Sequence, residues 1–234
     1  MATLWDVYVK ITLKKVLSYL KMEQKTCFYC NSRLYQLSNA MVKCSSCAKK
    51  YSPLKLQRDL DVIDAFVCST TARECAKKLN LSYQVVFNRY EHLRKLLIQY
   101  SHDYYEYKVQ NLDEFEEYLY IYKSKKKDYA NIIDSQNFVT FAYREKVYNF
   151  LLPSLKKFQD ANEFKKFMLS NHISKLKSID NTITKFWKFF EDFIRIYKGV
   201  KGEYFLSYLK EAEFKFNYTQ KEQKEILIKL WQNR

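Results

Sequence analysis

"CFYCNSRLYQLSNAMVKCSSCAKKYSP", residues 27–53, is the stretch on which the reading of this chain turns. It holds two Cys-x-x-Cys pairs, Cys27/Cys30 and Cys44/Cys47, separated by thirteen residues. A Cys-x-x-Cys turn points both sulfurs at one point in space. Two such turns complete a tetrahedron around one ion, at roughly 2.3 Å per Zn–S bond. The gap accommodates a β-hairpin that returns the second turn to the first. Short apolar runs in "RLYQLSNAMVKC" flank Ser38-Asn39, a plausible turn. Four thiolates leave no open coordination position, so the expected metal is a structural zinc. Lys49 and Lys50 follow the last cysteine and are candidate DNA contacts.

The next segment, residues 60–100, reads as a helix-turn-helix. Leu60, Ile63 and Phe66/Val67 keep helical spacing, and a Ser69–Thr71 cluster then breaks the helix. Thr71 precedes Glu74 by three positions, the signature of a capping box. Ala72, Cys75, Ala76 and Leu79 fall on one face of the helix that follows. Asn80 sits where a short turn needs a residue tolerant of left-handed backbone. Ser82 caps a third helix carrying Val86, Tyr90, Leu93 and Leu97. In such a unit the third helix enters the major groove by its N-terminal end. Ser82, Tyr83, Gln84, Asn88 and Arg89 are the outward candidates there, and Gln and Arg make bidentate contacts to adenine and guanine edges. Cys68 and Cys75 are read as buried core thiols.

Composition narrows the partners. The formal net charge is +15, and the first hundred residues carry most of it. Excess positive charge on a folded surface attracts polyanions, so double-stranded DNA is the first partner to consider. No run of about 20 apolar residues could span a bilayer. Only 2 Gly and 2 Pro occur, with no glycine-rich phosphate loop. With 17 Phe and 21 Tyr the chain can bury a sizeable core. Residues 1–22 read as an amphipathic helix lacking the uninterrupted apolar stretch of an export signal, and Met22 is an alternative start to Met1. A cytoplasmic location is expected, where disulfides rarely persist.

The second half alternates in a different way. "EEYLYIYKS" and "NFVTFAYREKVYNFLLP" are aromatic and β-branched and read as strands, the latter a hairpin turning at 144–146. "ANEFKKFMLSN" reads as a helix and "ISKLKSI" as another strand. From Thr182 onward Ile183, Phe186/Trp187, Phe190 and Phe193/Ile194 keep helical spacing, and two further helices fall near 203–213 and 219–232. The order fits a mixed sheet covered by helices. The loop "KSKKKD" (123–128) could grip phosphate. His92, His102 and His172 are scattered, with no nucleophile pattern around them.

"KCSSCAKKYSP" followed by "AKKLNLSYQVVFNRYEHLR" resembles the N-terminal half of insertion-sequence transposases that carry a zinc ribbon. "NTITKFWKFFEDF" (181–193) and "YLKEAEFKFN" (208–217) resemble that family's final helices, and "LDEFEEYLYI" (112–121) its first catalytic strand. The resemblance implies an α+β chain in four parts: an N-terminal helix (1–22), a zinc ribbon (23–54), a helix-turn-helix (55–101) and a ribonuclease-H-like domain (102–234). It also implies a bacterial, nucleoid-associated protein that works as a homo-oligomer. Acidic residues would hold Mg2+ for strand transfer at the ends of the element, Asp113 and Glu114 supplying the first position. Asp134, Asp160 and Asp180 are possible for the second. Where the pattern places the third, a Glu three residues after Asn181, this chain has Thr184. The interval from Asp113 to Asn181 is also short for a complete catalytic core. The expectation is DNA binding retained better than catalysis. The alternatives are a non-catalytic DNA-binding regulator and a zinc-stabilised interaction module.

Overall fold

The computed structural model describes residues 26–38, 40–108, 114–120, 135–152, 181–197 and 200–233. The expected helices at 1–22 and 161–171, the strand at 173–179, the loop 123–128, and Asp113, Asp134, Asp160 and Asp180 lie outside them. The described residues form a mixed α+β chain with two small antiparallel sheets. It divides into two compact units, residues 1–89 with 224–234, and residues 90–223.

The first unit opens with a three-stranded sheet: β1 (Leu34–Gln36), β2 (Val42–Cys44) and β3 (Lys50–Tyr51), in that order. The hairpin between β1 and β2 falls where the apolar runs of the sequence place it, and Ala40 takes its left-handed backbone position (φ 54). Helix α1 (Pro53–Val67) follows at once. Ser52 caps its start, the hydroxyl accepting from the Lys55 N–H, and Pro53 stands at the first turn, where its missing N–H leaves no donor unpaired. Helix α2 (Ala72–Leu79) carries the expected capping box. The Thr71 hydroxyl accepts from the Glu74 N–H (3.3 Å) and the Glu74 carboxylate accepts from the Thr71 N–H (3.1 Å). Asn80 ends the helix in the left-handed region at φ 52, ψ 47. Three residues, Asn80 to Ser82, separate it from α3 (Tyr83–Lys108). Ser82 starts α3 by accepting from the Val85 N–H (3.3 Å). The unit's buried side chains include Leu56, Val62, Ile63, Phe66, Cys75 and Val86, with Leu227 and Trp231 from the chain's last helix, α6 (Gln220–Gln232).

One expectation changes here. Cys75 is buried, but Cys68, at the C-cap of α1, is exposed. Helix α3, with no Gly or Pro in its path, runs on to Lys108.

The second unit is built on a meander, β4 (Glu114–Tyr120), β5 (Gln136–Tyr143) and β6 (Lys146–Leu151), all antiparallel. Arg144, at φ 51, takes the left-handed position in the tight turn between β5 and β6. One face of the sheet carries Tyr118, Tyr120, Phe138, Ala142 and Val147. It meets α4 (Thr182–Arg195), whose Ile183, Phe186, Trp187 and Phe190 are buried at helical spacing, and α5 (Phe205–Asn217) through Phe205, Leu209 and Ala212. Each such aromatic contributes about 1.5–3 kcal/mol by leaving water. No described helix is long and apolar enough to cross a membrane.

Candidate metal and nucleic-acid site

The two Cys-x-x-Cys turns are near copies of one another. In the first, the Cys27 N–H donates to the Ser32 carbonyl (2.7 Å). In the second, the Cys44 N–H donates to the Lys49 carbonyl (3.0 Å), the same five-residue step. The Tyr29 N–H donates to Cys27 Sγ and the Ser46 N–H to Cys44 Sγ, both at 3.4 Å. Each turn closes with a left-handed residue directly after its second cysteine, Asn31 (φ 58) and Ala48 (φ 56). That backbone aims amide dipoles at sulfur, which stabilises thiolate over thiol.

The four sulfurs converge. Cys27 and Cys47 Sγ are 3.8 Å apart, Cys30 and Cys44 Sγ 3.3 Å, and all four lie within 4.8 Å of one another. A tetrahedron with bonds of about 2.3 Å has edges of about 3.8 Å, so the donor set fits one zinc ion. Among the described residues this is the one such cluster of Cys, His, Asp and Glu. The electrostatics of the thiols suit a bound cation. The Ser32 hydroxyl and amide hold the Cys30 thiol down to about 6. Cys47, whose thiolate the Lys49 amide favours, is nonetheless pushed up to about 12 by desolvation and by the sulfurs of Cys44, Cys30 and Cys27. Four negative charges in so small a space do not coexist without positive charge among them.

The chain's far end ties into this turn. Gln232 Nε2 donates to the Phe28 carbonyl (2.6 Å), and Lys49 Nζ, 4.0 Å above the Tyr29 ring, donates to the Gln232 carbonyl (3.5 Å). Sequence reasoning missed Gln232, since nothing local links positions 28 and 232. Lys49 is thereby held within its own unit, while Lys50 is exposed on β3.

The start of α3 presents most of the expected residues. Ser82, Tyr83, Gln84 and Asn88 are exposed, and Gln84 Nε2 donates to Asn88 Oδ1 (2.7 Å). Tyr83 packs beside Phe87, with ring centroids 5.8 Å apart. Arg89 is the exception. Its Nε donates to Asp59 Oδ1 at 2.6 Å, and Asp59 is buried on α1. The pair ties α1 to α3, so the guanidinium does not stand outward as expected.

In the second unit, Glu114 opens β4. Thr184 closes a capping box with Asn181: the Asn181 side chain accepts from the Thr184 N–H (2.8 Å) and the Thr184 hydroxyl accepts from the Asn181 N–H (3.1 Å). The described carboxylate that reaches this helix start is Glu116, whose Oε1 accepts from Asn181 Nδ2 (3.4 Å). Alternation with Tyr118 and Tyr120 was the available signal for placing it on the inner face. The polar residues of "YLKEAEFKFN" are largely spent internally. Glu211 pairs with buried Arg94 (2.8 Å), and Tyr208 lies under the same guanidinium (3.8 Å). Glu213 accepts from Lys210, Ser101 and the Asn149 amides, and Asn217 bonds both backbone groups of Val147.

No protein-family model, no curated protein and no solved structure matches this chain.

Proposed function

We propose that this chain is a zinc-dependent DNA-binding protein of the insertion-sequence transposase type, in which duplex binding outlasts strand transfer. The observation that carries the reading is the convergence of Cys27, Cys30, Cys44 and Cys47 on one metal position, directly ahead of three capped helices. On this reading α2 and α3 form a helix-turn-helix. Tyr83, Gln84 and Asn88 meet base edges, and Ser82 and Lys50 meet the backbone. The net charge of +15 favours the polyanion.

The second unit is then a ribonuclease-H-like domain whose first three strands are β4 to β6. Thr184 offers a hydroxyl where the transposase pattern has a carboxylate. A neutral ligand gives Mg2+ much less charge compensation than a carboxylate. With Thr184 committed to a cap, we expect little or no Mg2+-dependent cleavage.

A salt-titrated binding assay on the DNA flanking the gene, with and without a zinc chelator, tests the proposal. The expected result is binding that weakens steeply with salt and is lost on metal removal. Binding indifferent to salt, or none in dilute buffer, leaves the zinc-stabilised interaction module as the better account. Robust cleavage in Mg2+ or Mn2+, abolished by Asp113→Asn, would show that the catalytic site is intact.

A further inference from the structure

The outer face of the ribbon sheet carries Arg33, Tyr35 and Lys43, which the helix-based reading does not use, beside Lys50, which it does. Register places Tyr35 opposite Lys43 and Lys43 opposite Lys50, so the three form one row across β1, β2 and β3. All three are exposed, with Tyr35 at 51%. Arg33, two positions before Tyr35 and so on the same face, holds its guanidinium 5.8 Å from the ring centroid. The alternate residues Val42 and Cys44 are buried on the other side. None of Arg33, Lys43 or Lys50 forms an ion pair with a described carboxylate, and residues 26–52 contain no Asp or Glu at all. Four thiolates around one Zn2+ leave a charge of −2. Arg33, Lys43, Lys49 and Lys50 more than offset it, so the ribbon remains cationic.

We propose that this face is a platform for unpaired nucleic acid, with Tyr35 stacking on one base while Arg33, Lys43 and Lys50 hold the flanking phosphates. An exposed ring on a sheet, framed by cations and free of acidic neighbours, is complementary to a single strand. Bases in an intact duplex are already stacked on each other and offer no face to the ring. The ring therefore has a use only where a strand is open, frayed or flipped. The guanidinium beside the ring adds a second planar surface on which a base can rest. The proposal rests on the reading of the first unit as a nucleic-acid binder and adds to it a strand state distinct from the duplex met by α3.

The test uses the zinc-loaded full chain with two labelled probes: an oligothymidine of about 16 nucleotides and a duplex of the same length. Tyr35→Ala should weaken oligothymidine binding by roughly 5- to 100-fold, the worth of one stacked base, and leave duplex affinity and zinc content unchanged. Tyr35→Phe should restore binding, and Tyr35→Leu, which keeps bulk without a ring, should not. Lys43→Ala should reduce the salt dependence of single-strand binding by about 0.7 in log–log slope. Gln84→Ala with Asn88→Ala should impair the duplex probe alone. Failure of both probes to bind in dilute buffer would overturn the underlying DNA-binding reading. Duplex binding without oligothymidine binding, or oligothymidine binding indifferent to the ring at position 35, would overturn the platform alone.

Discussion

Ala48 shows how much of the metal turn is set by single residues. It takes the left-handed conformation that closes the second Cys-x-x-Cys turn, where a β-carbon costs roughly 1–2 kcal/mol. Asn31 holds the equivalent place in the first turn, and asparagine tolerates that region better. Ala48→Gly should therefore stabilise the zinc-loaded chain by about 0.5–1 kcal/mol in denaturant unfolding, after the extra freedom of glycine in the unfolded chain is subtracted. Protonation belongs to the same scale. With its thiol pushed up to about 12, Cys47 is protonated at neutral pH before metal arrives. Zinc bound by this sulfur would displace that proton, so metal uptake would release protons and apparent affinity would rise with pH. An indicator dye in weakly buffered solution should register at least one proton released per zinc at about pH 7; uptake without acidification would contradict the assigned state of Cys47. At this scale the sequence was most legible where one residue type answers one local need, as with Thr71, Glu74 and Asn80. It misled at Arg89, whose partner Asp59 is thirty positions away. Helical spacing alone does not reveal whether an amphipathic arginine is bound or free.

The elements follow from periodicity and caps, and their interiors hold the polar surprises. Helix α4 was legible because Ile183, Phe186, Trp187 and Phe190 repeat at three and four residues, while its Asn181 cap emerged only in the structure. Phe190→Ala should cost about 3–5 kcal/mol in urea unfolding, since its ring is enclosed by Tyr120, Phe138, Phe186 and Phe205. Helix α5 could be placed but not explained from sequence. Lys210, Glu211 and Glu213 look like a solvated charged face and are in fact buried. Their partners Arg94, Ser101 and Asn149 come from α3 and β6, and no spacing rule predicts such matches. Burial works against the Arg94 charge, yet Glu211, Tyr208 and Glu91 overcome it, and the guanidinium stays protonated. Glu211→Gln leaves that cation buried without its main counter-charge and should destabilise by about 3–5 kcal/mol. A loss below about 1 kcal/mol would mean the pair is solvated.

At the scale of the whole molecule, the chain returns to its beginning. Leu227, Trp231 and Gln232 of α6 belong to the same compact unit as the cysteine turns, more than 170 residues earlier in sequence. The Lys224–Asp64 ion pair (2.7 Å) is exposed and contributes little. The buried Trp231 side chain and the Gln232 bond to Phe28 carry the attachment. Trp231→Ala should cost about 3–5 kcal/mol and speed zinc release to a competing chelator, because a loosened α6 holds Gln232 less firmly on the Phe28 carbonyl. Nothing in the sequence announces this closure: α6 reads only as a helix, and its target lies far away in the chain. The four-cysteine cluster itself was legible from spacing alone, because a tetrahedral thiolate site needs few residues and strict geometry. The central claim is that these four sulfurs bind one zinc and that the scaffold so formed binds nucleic acid. Native mass spectrometry of the purified chain, alone and mixed with duplex DNA in dilute buffer, tests both halves together. The account predicts one zinc per chain, a metal-bearing protein–DNA complex, and loss of both zinc and complex in Cys44→Ser. A chain that carries no zinc, or a DNA complex that forms equally well without it, would contradict the account.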